Sequence, residues 1–512
     1  MAKDEYYSGG VLSRRLYALQ RNPPSGRTQT GNTHFLNLPT TGGLHVVFTN
    51  GCWIFYPMLT KPASYDEEGI TTSAPQNSNL RWFVCTLLFA ATTINYMDRS
   101  ALGLIEPLLH VPFMGWIPGV LPEFQVAYHL NYAHIVECFM IAYGVGFLFA
   151  GRIIDRLGTK VGYACAIAVW ACASLSHSLV TSVIGFCIAR IFLGLGESGN
   201  FPAAIKATTE WFPSEERALA NGIFNSGSSA SFFIAPILIA AVTARFGWHA
   251  AFICTGSMGV LWCIVWIIFP YNRLRRGSTQ TQANLDADFA SYASNGGTPP
   301  YSALLQRRGF YAFSLGKGLT DPIWWFYLFY LPMFLHNNYG LDLNHAKYPL
   351  IIIYSVSTVG SIGGGWLSGF IIKCGHSVNA GRKYAMLICS LLVVPILFVP
   401  YFGVIFPTNP WPAIALFSLA TAAHQGWSAN LFATPTDMFP STTVSTVVGV
   451  GGAAGALGGA IFTYLVSHYF AQHAMFIFAL AAFAYIFALV IFQILVPQLG
   501  AKAPDTYLPE SV

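Results

Sequence analysis

Four charged residues stand inside long apolar runs of this chain: Asp98 and Arg99, which are adjacent, and Arg190 and Glu197, seven apart. A charge near the centre of a bilayer costs about 2.5–3.5 kcal/mol on insertion scales, so one found there faces a cavity or a partner. Adjacent helical residues point about 100° apart, so Asp98 and Arg99 cannot share a face. Arg190 and Glu197 do share one, two turns apart, and Asn200 follows a turn later. Gly194, Gly196 and Gly199 let another helix or a ligand come close there. Two acids and two arginines form a neutral set when ionised, and the set admits two readings. One is a static ion-pair network that locks two helices. The other is a proton-coupled anion site. An arginine fork matches a carboxylate bidentately and stays charged. An acid that alternates between pairing an arginine and carrying a proton couples protons to an anion. On that reading Arg99 takes the carboxylate of the cargo. Arg190 pairs with an acid and shifts its partner as protons arrive, and Asp98 and Glu197 carry the protons.

A hydroxylated cargo needs further hydrogen-bond partners. Tyr96, Tyr143, Asn221 and Asn225 are candidates in the first half of the chain; Trp324, Tyr327, Tyr354, Ser355, Gln425, Ser428 and Asn430 are candidates in the second. Each also reads as an ordinary helix–helix contact. Lys317 and Asp321 are spaced i,i+4 just before Pro322, as a salt bridge at a kinked helix or as a gate. His424 is a titratable group near neutral pH or a satisfied core histidine. Glu137 stands toward an entrance. The glycines from Gly449 to Gly459 follow no strand and precede no Gly-Lys-Ser/Thr, so they mark close helix packing, not a phosphate loop.

The elements that must position these residues follow from composition. The 512 residues are 54% hydrophobic and only 9% charged, where a soluble domain carries about 25% charged residues. Such a chain cannot cover its own surface for water, and lipid is its solvent. Twelve apolar runs reach the roughly 20 residues that span a bilayer as helix: 81–109, 132–154, 161–180, 183–204, 218–244, 250–270, 310–335, 348–372, 384–404, 412–433, 444–470 and 474–496. The expected fold class is an all-α polytopic membrane protein. With the N-terminus inside, the cytoplasmic loops hold Arg152, Arg156, Lys160, Lys206, Arg217, Arg273, Arg275, Arg276, Arg307, Arg308, Lys373, Arg382 and Lys383, and the external loops only Arg245 and Lys347. That asymmetry follows the positive-inside rule and puts both termini in the cytoplasm.

The polar stretch 271–307 reads as a cytoplasmic linker between six-helix halves at 80–270 and 308–497. A weak repeat supports the division: Gly151 to Lys160 after the second run, and Gly365 to Lys373 after the eighth, each end a glycine-containing helix in a basic turn. Two such halves around a central path are the plan of secondary transporters. Residues 1–79 mix Gly, Pro, Ser, Thr and Asn and lack the parts of a signal peptide. They read as a disordered cytoplasmic tail, with translation starting at Met58 as one expectation; 498–512 form a second tail. Residues 111–127, with Pro112, Pro118, Pro122 and three aromatic residues, read as an external loop. Ten scattered cysteines without a CxxC pair are small buried hydrophobes. The net charge of +5 comes without a basic stripe, so no nucleic-acid partner is expected.

The stretch GRIIDRLGTKVG at 151–162 resembles the signature loop of the major facilitator superfamily. INYMDRSAL at 94–102, ARIFLGLGESGNFPAAIKATTEWFPSEERALANGIFNSGSS at 189–229, GKGLTDPIWWFYLFYLP at 316–332 and AAHQGWSANLFATPTDMFP at 422–440 resemble its anion:cation symporter branch, and within it the bacterial hexuronate and aldonate transporters. The resemblance runs from about residue 80 to about 497. It implies the major facilitator fold, with twelve transmembrane helices in two pseudo-symmetric halves. It also implies proton-coupled uptake of a sugar-acid anion by a monomer in the inner (plasma) membrane, with no cofactor beyond the coupling ion. Residues matching Asp98, Arg99, Arg190 and Glu197 serve substrate binding and proton coupling in that family, and Tyr143 and Asn225 match binding or gating positions. Gly151, Asp155 and Arg156 are expected to form a conformational lock on the inner side. A symporter of another carboxylate and a transporter-like sensor are the alternatives. No HExxH or GxSxG pattern points to an enzyme. If translation starts at Met58, the intact mass of the native protein corresponds to a chain beginning there; a species beginning at Met1 refutes it.

Overall fold

The computed structural model describes residues 34–36, 44–49, 52–57, 78–106, 122–274, 284, 285, 289, 298–341 and 343–499. The expected external loop up to residue 121, most of the linker and the tail beyond 499 lie outside the described residues. The chain divides into a unit of residues 1–72 and a unit of residues 73–512.

In the first unit, β1 (His34–Leu36), β2 (Leu44–Thr49) and β3 (Cys52–Pro57) form an antiparallel sheet in that order, with Thr49 opposite Cys52. These three strands lie within the stretch expected to be mostly disordered. Two runs rich in Val, Phe, Trp, Ile and Tyr flank Asn50-Gly51, the pair that most strongly favours a two-residue hairpin turn.

The second unit is helical. Its main helices are α1 (Ser78–Ile105), α2 (Pro122–Leu157), α3 (Thr159–His177), α4 (Val183–Glu197), α5 (Asn200–Trp211), α6 (Ser214–Phe246) and α7 (His249–Ile268). After the linker come α8 (Arg308–Tyr339), α9 (Leu343–Lys373), α10 (Val378–Val393), α11 (Trp411–Leu431), the short α12 (Thr434–Met438) and α13 (Val444–Leu495). The last is two helices joined at His473, whose φ of −133° and ψ of 41° break it. Eight segments among the described residues are long and apolar enough to cross a membrane. The other four expected crossings are the helices α1, α4 with α5, α8 and α11. They fall short of that measure and are the first and fourth of each half. They also carry Asp98, Arg99, Arg190, Glu197, Lys317, Asp321, His424 and Gln425.

Two seams join the halves, α2 against α13 and α6 against α9. They are built alike. A Cβ on Gly151 of α2 would overlap the Ser445 carbonyl near the start of α13, and one on Gly365 of α9 would overlap the Ala218 carbonyl near the start of α6. A turn further on, Gly449 of α13 abuts the Phe147 carbonyl, and Gly222 of α6 abuts the Ser361 carbonyl. Exchanging the halves exchanges these contacts. Glycine permits them because the backbones meet with nothing between. A second repeat leads into both seams: Thr209-Glu210-Trp211-Phe212-Pro213-Ser214 before α6, and Thr436-Asp437-Met438-Phe439-Pro440-Ser441 before α13. Valine at Gly151 or Gly365 is expected to cut transport about tenfold or more with normal expression, because a seam with no free space cannot take a branched side chain. Alanine at Gly363, which has open space beside it on the same α9, is expected to leave transport unchanged. Equal effects at Gly363 and Gly365 in an uptake assay refute the seam.

Candidate functional site

On α1, Tyr96 and Arg99 are one turn apart and share a face. The Arg99 guanidinium carbon lies 4.4 Å from the Tyr143 ring centre, 4.7 Å from that of Tyr96 and 5.1 Å from that of Phe139. Ring faces attract a cation, more strongly where water is excluded. From this cage Arg99 donates through Nη2 and Nε to Glu197 Oε2 on α4, at 3.0 and 3.3 Å. Glu197 is fully buried, and its second oxygen has no hydrogen-bond partner.

Arg190, on the same face of α4, is 2% exposed and makes no ion pair among the described residues. Its Nε and Nη2 have no partner, and the Phe139 ring lies 5.8 Å from its guanidinium carbon. The expected roles of the arginines therefore differ in one respect: Arg99 is the one paired with an acid, and Arg190 is the one with donors to spare. Phe139, which no sequence pattern marked, stands beside both and stacks on Tyr143 one turn away at 5.6 Å. Asp98 turns behind α1. It accepts a 2.6 Å hydrogen bond from Ser174 of α3, which is 3.1 Å from Thr255 of α7, and its other oxygen is buried without a partner.

Arg99 and Arg190 line a cavity of about 780 Å³ whose remaining walls are mainly apolar. It lies on the side of the arginines away from Gly151 and Asp155. A smaller pocket of about 70 Å³ lies deeper. Tyr96, Tyr143, Asn225, Trp324, Gln425, Ser428, His424, Lys317 and Asp321 all line it. Lys317 and Asp321 form a 2.7 Å ion pair on the face of α8 that meets this pocket. Asn430 does not reach it. Its amide donates to the carbonyls of Gly364 and Gly426 at 2.8 and 2.9 Å, so it is a helix contact rather than a cargo contact. Below the pocket the halves touch: Asn225 donates to Gln425 at 2.6 Å, and Phe201 stacks on Phe432 at 5.2 Å.

The end of the bundle rich in basic residues is closed by buried charges. Asp155 accepts from Lys206 at 2.7 Å, and from the Thr446 amide and hydroxyl at 2.7 and 2.6 Å. A carboxylate is favoured at a helix N-terminus such as that of α13. Arg156 stays exposed, so the partner in this lock is Lys206 and not Arg156. Asp437 is held by Arg382 at 3.0 Å and by Arg217 at 3.4 Å. Arg217 also reaches the Thr436 carbonyl at 2.9 Å, and Arg382 the Ser214 carbonyl, so both arginines tie the halves together. Sequence position had made Lys206, Arg217 and Arg382 loop charges; the fold buries them. The repeat partner of Asp437 is Glu210, which accepts from Thr159 at 2.9 Å and Tyr271 at 2.8 Å.

A family model described as Major Facilitator Superfamily matches residues 88–463. The chain is 29% identical to the hexuronate transporter of Escherichia coli (strain K12) over 76% of this chain and 87% of that protein. It is 28% identical to the galacturonate transporter of Dickeya chrysanthemi over 62% and 89%, and 26% identical to the D-galactonate transporter of Escherichia coli O6:H1 over 79% and 92%. Among solved structures it resembles the proton:xylose symporter XylE, with a TM-score of 0.65 at 16% identity over 84% of this chain and 98% of that one. It also resembles the human organic anion transporter MFSD10, with a TM-score of 0.59 at 17% identity over 82% and 100%.

Removing one partner from a buried ion pair costs about 3–5 kcal/mol, because the other charge is left uncompensated. Asp437→Asn is therefore expected to open the basic end. Labelling, from that side of the membrane, of a cysteine placed at Ser228 in the pocket should rise about tenfold or more. Unchanged labelling shows that the Arg217–Asp437–Arg382 cluster does not hold the bundle shut.

Proposed function

This chain belongs to the Major Facilitator Superfamily, and we propose that it takes up the anion of a sugar acid, a hexuronate or an aldonate, in symport with protons. It is a multi-pass membrane transporter and not an enzyme. The observation that carries the reading is the pairing of Arg99 with Glu197 beside an Arg190 that has donors to spare, at the boundary of the two cavities. Of the two arginines that line the outer cavity, Arg99 is paired with Glu197 and Arg190 has unpartnered donors for a carboxylate. The names of the relatives, transporters of hexuronate, galacturonate and D-galactonate, support a sugar acid as the source of that carboxylate.

Read through the positive-inside rule, the closed basic end is cytoplasmic, both termini are cytoplasmic, and the cavity of about 780 Å³ faces outward across the inner (plasma) membrane. The cargo carboxylate meets Arg190 first, whose Nε and Nη2 await an acceptor. It then competes with Glu197 for Arg99. A displaced Glu197 left charged in a fully buried position would cost several kcal/mol, and a proton taken up from outside removes that cost. The same logic holds for Asp98, which has one unpartnered oxygen beneath α1. Tyr96, Tyr143, Asn225, Trp324 and Gln425 then offer hydrogen bonds and ring faces to the hydroxylated remainder, with the Lys317–Asp321 pair as a gate beside them. The protein works as a monomer, with the bilayer as solvent and no cofactor other than the coupling proton.

In proteoliposomes, uptake of labelled galacturonate, glucuronate or galactonate should rise as the outside pH falls. Arg99→Ala should lower uptake about 100-fold or more. Glu197→Gln should keep counterflow of labelled for unlabelled cargo and lose accumulation driven by the pH gradient. Full activity in Arg99→Ala discards the carboxylate assignment. Undiminished pH-driven accumulation in both Asp98→Asn and Glu197→Gln discards the proton assignment.

A further inference from the structure

We propose that the inner pocket selects ring-closed sugar acids, pyranose uronates, over open-chain ones, and that the selecting surface is the Trp324–His424 stack, kept in place by Tyr485. The inference rests on the sugar-acid reading and narrows it. Lys317, Asp321 and Trp324 follow one another on α8 at spacings of four and three, so one helix face brings an ion pair and an indole to the same pocket. His424 of α11 covers one face of that indole, with ring centres 5.1 Å apart and planes 10° from parallel. Tyr354 meets it edge-on at 6.5 Å and 71°. With these two rings packed against it, the indole still lines the pocket. A flat apolar surface of this kind fits the C–H face of a pyranose, which holds its ring hydrogens together on one side and its equatorial hydroxyls at the rim. An open-chain acid has no such face and must freeze several rotatable bonds to lie against the indole.

The polar groups stand where a ring's rim would need them. Lys317 Nζ and Asp321 Oδ2 are 2.7 Å apart on one side, and the Asn225–Gln425 amide pair spans the halves below. A hydroxyl both donates and accepts, so an ammonium beside a carboxylate satisfies it in both senses.

His424 is buried, and its Nδ1 shares a 2.7 Å hydrogen bond with the Tyr485 hydroxyl from the last stretch of α13. Tyr485 is itself fully buried, with its ring edge-on to Trp427 at 5.5 Å. This bond fixes the plane of the imidazole, and through it the plane of the Trp324 indole. Tyr485 is therefore a positioning residue that lines neither cavity. Neither His424 nor Tyr485 touches Arg99 or Arg190, so the carboxylate and the ring are read at separate places.

The test compares uptake of three labelled acids in the same proteoliposomes: galacturonate, its methyl glycoside, whose ring cannot open, and open-chain galactonate. In the wild type the two ring acids should have KM values within about threefold of each other and about tenfold or more below that of galactonate. Trp324→Leu should bring ring and open-chain KM within about threefold, and Tyr485→Phe should raise KM for the ring acids about fivefold while leaving galactonate and Vmax unchanged. A purely structural defect lowers uptake of every acid alike, so a common loss in both variants overturns the assignment of the stack. Equal KM for ring and open-chain acids in the wild type, or preference for galactonate, overturns ring selection and leaves the sugar-acid reading intact. Transport of none of the three overturns that reading and this proposal together.

Discussion

A guanidinium inside an apolar bundle must be compensated where it stands, and Arg99 is compensated by Glu197. Much of the site follows from that single pair. It holds α1 against α4, turns Tyr96 toward the path and Asp98 away from it, and leaves Arg190 as the arginine without an acid of its own. A buried pair of this sort adds little to stability against a well-packed apolar alternative. Its value lies in being exchangeable. In the symport proposed above, a second carboxylate would take the place of the first once the first is neutralised, and that exchange would link an anion to a proton.

The aromatic rings around the pair have a related part. Tyr96, Phe139 and Tyr143 hold the Arg99 guanidinium by their faces, a contact separate from its bond to Glu197. The three rings come from two helices, α1 and α2, and the third helix at the site, α4, supplies only charge. Division of labour of this kind lets the charged groups change state without repacking the wall.

Much of this was legible in the sequence. The scarcity of charge gave every charged residue in an apolar run a meaning, and Arg99, Arg190, Lys317, Asp321, Trp324 and Gln425 all line the cavities. Spacing alone does not give the rotation of one helix against another, so Asp98 and Arg99 could not be divided between the path and the protein interior. Nor could Gln425 be told from Asn430, which sits about 140° around α11 from it and binds two backbone carbonyls instead. Lys206, Arg217 and Arg382 looked like loop charges because the positive-inside rule counts position and is blind to burial. Their acids, Asp155 and Asp437, are what draw them in. The Asn50-Gly51 hairpin signal in the N-terminal unit was in plain view, outweighed by the composition around it.

The seams of glycine against carbonyl, repeated on both sides of the path, bear on speed as well as shape. Where Gly151 meets Ser445 and Gly365 meets Ala218, two smooth backbones touch. At these two points no side chain has to leave a socket for the halves to part, and the nearest ring in the first seam is Phe147, packed against Gly452. The contacts that must break for the halves to swing then include the charged bonds at one end of the molecule, with the Asn225–Gln425 bond and the Phe201–Phe432 stack beside the pocket. Because the charges at that end are buried, bulk salt screens them little, and the latch they form is insulated from the ionic strength around it.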